Sequence, residues 1–303
     1  MNPERLALRS RILHAVRAFF HAHDFVEAET PVRIPAPALE THIDVPPAGR
    51  AWLRASPELH LKRLLAAGSP RLYQIGPCFR EGECGRRHNP EFTLLEWYRA
   101  HADYIAILRD TEALLTQVFQ SVFGRTTLVY QGVKIDLEPP WTCLSVREAY
   151  QRFAGWDPVR DWDPERFDLD MVHAVEPALP RDRPTVLTDY PAEAASLARL
   201  KPDDPQVAER WELYIGGLEL ANAYSELCDA ETQRARFLAA AEARRQLGKV
   251  IYPLDEPFLD ALRSGMPPCG GIALGIDRLI MLACDASDIT EVRPFCQRPG
   301  ELW

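Results

Sequence analysis

Arg80, Glu81, Glu83, Arg86, Arg87, His88 and Asn89 crowd into one short stretch of the chain. Arg86, Arg87 and His88 make the dense basic patch of the sequence, of a size that suits a single triphosphate. The stretch lies between two apolar runs. Leu72, Tyr73, Ile75 and Phe79 precede it, and Phe92, Leu94, Leu95, Trp97 and Tyr98 follow it. That pattern reads as two strands joined by a long charged loop. Loops held on rigid strands commonly carry chemistry, and a solvated hairpin tip has the same pattern. Both readings stand on pattern alone.

The 303 residues suffice for a proper core, and the apolar content of 47% with 26% charged residues is that of an ordinary globular chain. No stretch has the length and apolarity of a membrane span, and the start lacks a signal-peptide pattern. The seven cysteines, Cys78, Cys84, Cys143, Cys228, Cys269, Cys284 and Cys296, are scattered and include no C-x-x-C pair. A zinc site or disulfide framework is not expected, and a reducing cytoplasm fits that usage. The net charge of −9 argues against a grip on a long nucleic-acid backbone.

The elements that must position the charged loop follow from periodicity and punctuation. Residues 3 to 23 read as an amphipathic helix, with Leu6, Leu13, Val16, Phe19 and Phe20 between Arg9, Arg11, His14 and Arg17. Phe25-Val26-Glu27 is a short strand, and Pro31 breaks regular structure. Residues 35 to 50 form a loop, and Trp52-Leu53-Arg54 resumes a strand. Ser56-Pro57-Glu58 is a helix start, because serine caps, proline suits the first position and glutamate suits the positive end of the dipole. A strong helix is expected over Asp103 to Phe123, a hairpin over Leu128 to Leu137 and a helix over 145 to 154. Residues 155 to 184 read as an irregular or small helical insertion. Strands follow at Thr185–Tyr190, Val207–Tyr214 and Leu218–Tyr224, then helices at Ala230–Leu247 and Asp255–Arg263. Gly270 to Gly275 is a glycine-flanked strand entering a helix from Ile276 to Ala283, with Asp277 and Arg278 in its first turn. The absence of β-α-β alternation argues for an α+β fold with a mostly antiparallel sheet flanked by helices.

Three of these segments in order resemble the class II aminoacyl-tRNA synthetase catalytic domain. They are the helix–strand–Pro31 unit (motif 1 of that family), Leu72 to Arg99 (motif 2) and GIALGIDRL, residues 271 to 279 (motif 3). Within the class, SPELHLKRLL, RHNPEFTLLEWY and ELANAYSEL are similar to the lysyl-tRNA synthetases. The chain begins directly at motif 1, so residues 1–303 are expected to form a single catalytic domain with no anticodon-binding domain. In that form it is similar to the elongation factor P–(R)-β-lysine ligase family.

The resemblance implies ATP and Mg²⁺ as cofactors, and aminoacyl-adenylate chemistry. A substrate carboxylate attacks the α-phosphorus, pyrophosphate leaves, and a lysine of elongation factor P then takes the acyl group. It implies Arg80 at the α-phosphate, Arg278 at the γ-phosphate and Glu219 as a Mg²⁺ ligand. Glu81, Gly82, His88, Asn89, Phe92, Leu220 and Gly275 would complete the ATP site, with Phe92 stacked on adenine. Glu226 and Tyr98 would pair the distal ammonium of a lysine-like substrate. Ser56 and Glu58 would face its head group, and Pro57, Asn222, Tyr224 and Ala273 would line the substrate pocket. It also implies a homodimer through the motif 1 region, no anticodon recognition and no membrane partner. Two positions depart from the family pattern. Gly82 stands where motif 2 carries the glutamate of F-R-x-E, with Glu83 one residue late. Ala273 stands where lysyl-tRNA synthetases have glycine, and its methyl narrows the space for an α-amine. In the second step the acceptor lysine must lose a proton, at a cost of about 4.6 kcal/mol at neutral pH. Glu96 and Glu83 are the candidate bases. An acceptor such as tRNA or a metabolite amine, and a non-catalytic paralogue, are the alternatives.

Overall fold

The computed structural model describes residues 2–297. Helix α1 (Pro3–Ala22) starts at Asn2, whose side chain accepts from the Arg5 amide, with proline in the first turn. Four short strands follow: β1 (Val26–Glu27), β2 (Arg33–Ile34), β3 (Pro47–Ala48) and β4 (Ala51–Leu53). Helix α2 (Glu58–Ala66) leads to the long hairpin of β5 (Arg71–Phe79) and β6 (Glu91–Ala100). Helix α3 (Tyr104–Phe123) is capped by Asp103 and ends at Gly124, which takes a left-handed φ of 68°. Strands β7 (Thr127–Tyr130), β8 (Val133–Asp136) and β9 (Thr142–Ser145) precede α4 (Val146–Phe153), whose start is a reciprocal Ser145–Glu148 capping box. Residues 155–184 hold α5 (Pro164–Asp170), a π turn over Met171–Val175 and α6 (Glu176–Ala178). The chain continues through β10 (Thr185–Pro191), β11 (Val207–Ile215), β12 (Leu218–Ser225), α7 (Ala230–Gln246), α8 (Glu256–Arg263), β13 (Cys269–Gly275) and α9 (Ile276–Ala283).

Eight strands form one sheet in the order β1-β5-β6-β13-β12-β11-β10-β9. Only its two outer pairs, β1 with β5 and β10 with β9, run parallel. The fold is therefore α+β around a mostly antiparallel sheet, as the element order implies. Periodicity did not single out the short edge strand β9, which is fixed by its register against β10, Thr142 opposite Thr185, nor β2 and β3; β3 falls within the expected 35–50 loop and, like β2, is a two-residue strand defined by its pairing with β4.

Successive side chains on a strand face opposite ways, so register decides which residues share a face. Glu96 lies opposite Ala273, and Ala273 opposite Asn222. Tyr98 lies opposite Gly271, Gly271 opposite Tyr224, and Tyr224 opposite Arg210. These residues share one face. The alternate positions, Leu95, Trp97, Ile272, Leu274, Ala221, Ala223, Trp211 and Leu213, are buried on the other face, in the core that includes α1, α3 and α9. Each large apolar side chain buried there contributes roughly 1.5–3 kcal/mol. Gly270 lets α3 come close: a Cβ there would lie 2.9 Å from the Asp103 carbonyl oxygen.

An ionic clamp joins both ends of the chain to the middle of the sheet. Asp277, in the first turn of α9, is buried, with Oδ1 2.6 Å from Arg9 Nη1 of α1. Its Oδ2 accepts from the Thr93 amide of β6 at 2.8 Å and lies 3.6 Å from Arg293 Nη1. Removing one partner of a buried pair leaves the other charge uncompensated, which typically costs about 3 kcal/mol or more. Asp277→Asn is therefore expected to lower unfolding free energy by about 3 kcal/mol in urea titrations; an unchanged midpoint would show that the clamp adds nothing.

Candidate active site

The charged face of the sheet floors a cleft of about 980 Å³. Its walls come from the 39–43 loop, the β5–β6 loop, residues 162–176, the 192–197 loop and α7. Arg80, His88, Glu219 and Arg278 gather toward one end, and Glu58, Glu96, Tyr98 and Glu226 toward the other.

At the first end Arg278 is held from three sides. Its Nη1 donates to the Glu219 carbonyl at 2.7 Å and lies 3.4 Å from Glu219 Oε2, and its Nη2 is 2.7 Å from His88 Nε2. Burial and then the Arg278 charge push the His88 pKa down, so the ring is neutral and Nε2 accepts. Burial, then the charge of Glu212, raises the Glu219 carboxyl, while Arg278 and Arg80 oppose the rise. Glu212 escaped the sequence reading. It sits on β11, held by Arg210 Nη2 at 2.6 Å and by the Tyr214 hydroxyl at 2.7 Å. A register shift between Leu213 and Tyr214 sets Tyr214 opposite Glu219 and brings the two carboxylates onto one face. The polar alternation Arg210, Glu212, Tyr214 was the available signal, but the shift itself left no mark in the sequence. Among the described residues no group of three or more His, Cys, Asp or Glu side chains is placed to hold a metal ion. A pair of carboxylates suits Mg²⁺, which keeps several waters and usually takes one or two protein ligands.

The Arg80 guanidinium lies over the Phe92 ring, 5.2 Å from its centroid. Its Nε is buried without a partner among the described residues, and Nη1 is 3.6 Å from Glu83 Oε1. A buried donor left unpaired is costly unless something else accepts from it. Glu83 lines the cleft, whereas Glu81 and Gly82 do not. Gly82 has φ +80°, so it forms the turn of the loop, and the Glu81 amide donates to the Asp44 carbonyl. Glu81 and Gly82 thus shape the loop, and Glu83 is the carboxylate that reaches the cleft. The Asn89 side chain is also spent internally, donating to the Glu91 carbonyl at 2.6 Å and accepting from the Gln297 amide at 2.9 Å. Leu220, Asn222, Ala273 and Gly275 also line the cleft.

At the opposite end, the carboxylates expected to meet a ligand already share an internal cation. Lys62 of α2 is 1% exposed, with Nζ 2.5 Å from Glu226 Oε2 and in contact with the Glu58 carboxylate one helical turn away. Burial alone would push the Lys62 pKa down; the charges of Glu226 and Glu58 overcome it and raise it. Lys62 is not part of the cleft wall, while Glu58 and Glu226 are. Ser56 Oγ accepts from the Glu58 amide at 2.9 Å and donates to Glu96 Oε1 at 2.6 Å. The Tyr98 hydroxyl donates to Glu96 Oε2 at 3.0 Å, so it faces Glu96 and not Glu226. Pro57 is buried at the start of α2 and does not line the cleft. Glu96 is fully buried; burial and then the Glu58 charge raise its pKa to about 7, against the Ser56 and Tyr98 hydrogen bonds. Gly271 makes the close fit possible, since a side chain there would collide with the Glu226 carboxylate and the Tyr98 ring. Glu40, on the 39–43 loop, adds a further carboxylate raised by burial and by Glu58.

A cleft over an antiparallel sheet, with an arginine on the β5–β6 loop and a second where β13 enters α9, is the arrangement that the three motifs imply. The family model for class II tRNA synthetases (D, K and N) matches residues 2–299, and the chain belongs to that family. Among curated relatives, it is 37% identical to the lysine–tRNA ligase of Moorella thermoacetica, over 99% of this chain and 67% of that protein. It is 38% identical to a lysine–tRNA ligase of Dehalococcoides mccartyi, over 95% of this chain and 63% of that protein. It is also 38% identical to the elongation factor P–(R)-β-lysine ligase of Hamiltonella defensa, over 96% of this chain and 94% of that protein. The chain thus spans about two thirds of the length of those two lysine–tRNA ligases.

Two measurements test the carboxylate end. Lys62→Met strands Glu226 and Glu58, and urea unfolding should show a loss of about 3–5 kcal/mol, partly restored by adding Glu226→Gln. No loss would mean that the ion pair is not formed in solution. Glu96 titrates at about 7 in the folded chain and near its ordinary 4.5 when unfolded. Between those values the native state holds the extra proton, so this group makes stability fall as pH rises. Unfolding titrations of Glu96→Gln over that window should lack this component of the slope.

Proposed function

We propose that this chain uses ATP to activate lysine or (R)-β-lysine as an aminoacyl-adenylate and passes the acyl group to a lysine side chain of elongation factor P. The observation that carries this reading is the polarity of the cleft. Arg80 and Arg278 stand toward one end, and Glu40, Glu58, Glu96 and Glu226, with Lys62 behind them, belong to the other. Such a cleft fits a molecule that joins a polyphosphate to a compound with two ammonium groups.

The chemistry needs no enzyme nucleophile. It needs the substrate carboxylate held in line with the α-phosphorus, and the growing charge on phosphate met by fixed donors. Arg80 is the α-phosphate donor in this reading, its orphaned Nε supplied with an acceptor by the ligand. Arg278, steadied by Glu219 and neutral His88, takes the γ-phosphate end, and Phe92 and the backbone at Leu220 and Gly275 hold the base. Glu219 and Glu212 are the donors for Mg²⁺, which when bound offsets charge on the phosphate oxygens. Glu226 offers its second oxygen to the distal ammonium, while Glu58 and Asn222 face the head group. The Ala273 methyl, set between Glu96 and Asn222 in the floor, favours an amine displaced by one carbon, as in a β-amino acid. Glu96, with its pKa near 7, is the carboxyl best matched to take a proton during aminolysis. A homodimer through α1 and the strands after it completes the reading.

The match along nearly the full length of the Hamiltonella defensa ligase supports elongation factor P as acceptor. The lysine–tRNA ligases among the relatives support a second reading, in which tRNA takes the acyl group. Intact-mass spectrometry separates them. After incubation with ATP and (R)-β-lysine, elongation factor P should gain one β-lysyl residue, and tRNA in a parallel reaction should stay unacylated. Charged tRNA with unmodified elongation factor P would reverse the assignment.

A further inference from the structure

A second cavity, of about 470 Å³, adjoins the arginine end of the cleft. Arg86, Arg87 and Arg181 line it, with His88, Tyr130 and Ser287. In a chain of net charge −9, most arginines are tied to carboxylates, but none of these three has one within ion-pair distance among the described residues. Arg87 and Arg181 are held by neutral groups instead. Arg87 Nη1 donates to the Gly217 carbonyl at 3.0 Å, and Arg181 Nη2 to the Gly216 carbonyl at 3.2 Å. The nearby Asp285 carboxylate is engaged by the Gln131 amide at 2.6 Å and its side chain at 3.0 Å. Three guanidiniums are thus gathered around one hollow with their charge unspent.

The hollow adjoins the cleft, because Arg87 and His88 line both. Arg278 bridges the two, with Nη2 on His88 and Nε 3.5 Å from the Arg87 carbonyl. Since His88 Nε2 accepts from Arg278, the neutral ring carries its proton on Nδ1 as a further donor. A small, multiply charged anion with oxygen acceptors on every side matches this set, and guanidinium forks suit phosphate. A protein's acidic segment is the poorer fit, because the hollow is small and opens on the end where phosphate would be handled.

We infer that Arg86, Arg87 and Arg181 form an exit subsite for inorganic pyrophosphate, which draws the leaving group away from the adenylate. In-line attack of the substrate carboxylate breaks the bond between the α-phosphorus and the bridging oxygen. That oxygen leaves with the electron pair as pyrophosphate. Moving the anion onto a separate set of arginines opposes the reverse reaction while the acceptor amine arrives. The inference rests on the adenylate-forming reading, and its test is a binding measurement that needs no amino acid.

Pyrophosphate is titrated calorimetrically into the full chain saturated with AMP, for the unaltered protein, Arg181→Gln and Arg181→Glu. Losing one charge-assisted contact should weaken pyrophosphate binding about tenfold in Arg181→Gln and further in Arg181→Glu. AMP and ATP affinities, titrated alongside, should stay within about twofold, which also reports that the variants fold. Orthophosphate should bind the unaltered protein more weakly than pyrophosphate. Unaltered pyrophosphate binding in Arg181→Glu, an equal loss of ATP affinity, or equal affinity for orthophosphate would each overturn the subsite. A failure of lysine-dependent chemistry would instead touch the proposed function and leave these titrations readable.

Discussion

Side chains alternate across a pleated sheet, and the four central strands β6, β13, β12 and β11 turn that rule into a division of labour. Leu95, Trp97, Ile272, Leu274, Ala221, Ala223, Trp211 and Leu213 hold the sheet to its helices. The residues between them, Glu96, Tyr98, Ala273, Asn222, Tyr224, Arg210 and Glu212, line the cleft. A one-residue slip in any pair would bury the charges and expose the core, so the packing energy of one face fixes the geometry of the other. Gly271 shows how tight that coupling is, since its missing side chain is the space that Glu226 and Tyr98 occupy.

The cleft concentrates carboxylates that repel one another, and the structure manages them in distinct ways. Glu226 and Glu58 share the buried Lys62. Glu96, fully buried and held by two hydroxyl donors, titrates near neutrality. Glu219 leans on Arg278, and Glu212 on Arg210. In the proposed reading this charge suits a cationic guest, because partly compensated carboxylates in a low-dielectric wall gain most from a ligand that brings positive charge. At the arginine end the imbalance is reversed, and the neutral His88 avoids adding repulsion to Arg278.

Much of the fold was legible because its boundaries are set by local chemistry. Asp103 and Ser145 cap helices where such residues must, and Gly124 ends α3 with the positive φ that favours glycine. The parallel edge strand β9 was not legible, since its identity depends on a partner that lies far along the chain. In the cleft, Arg80, Glu219, Glu226 and Arg278 were named from motifs, and they line one cavity. Glu212 was missed because the register shift opposite Glu219 has no local signature. Lys62 drew no assignment from the sequence; only packing reveals that it points inward to two carboxylates. Asn89 carries a motif position and lines the cleft, and its side chain also donates to the Glu91 carbonyl; the Glu81 backbone amide and the positive φ of Gly82 shape the loop. A motif fixes residue type and spacing, while hydrogen-bond partners are decided in three dimensions.

The central claim is that the cleft selects a carboxylic acid bearing a distal ammonium and joins it to AMP. ATP–pyrophosphate exchange tests it directly, comparing α-lysine, both β-lysine enantiomers and norleucine, which keeps the chain length but lacks the ammonium. The account predicts exchange with at least one lysine isomer and none above background with norleucine, because Glu226 and its neighbours would be left facing a methyl group. Exchange supported equally by norleucine, or by none of the four, would contradict it.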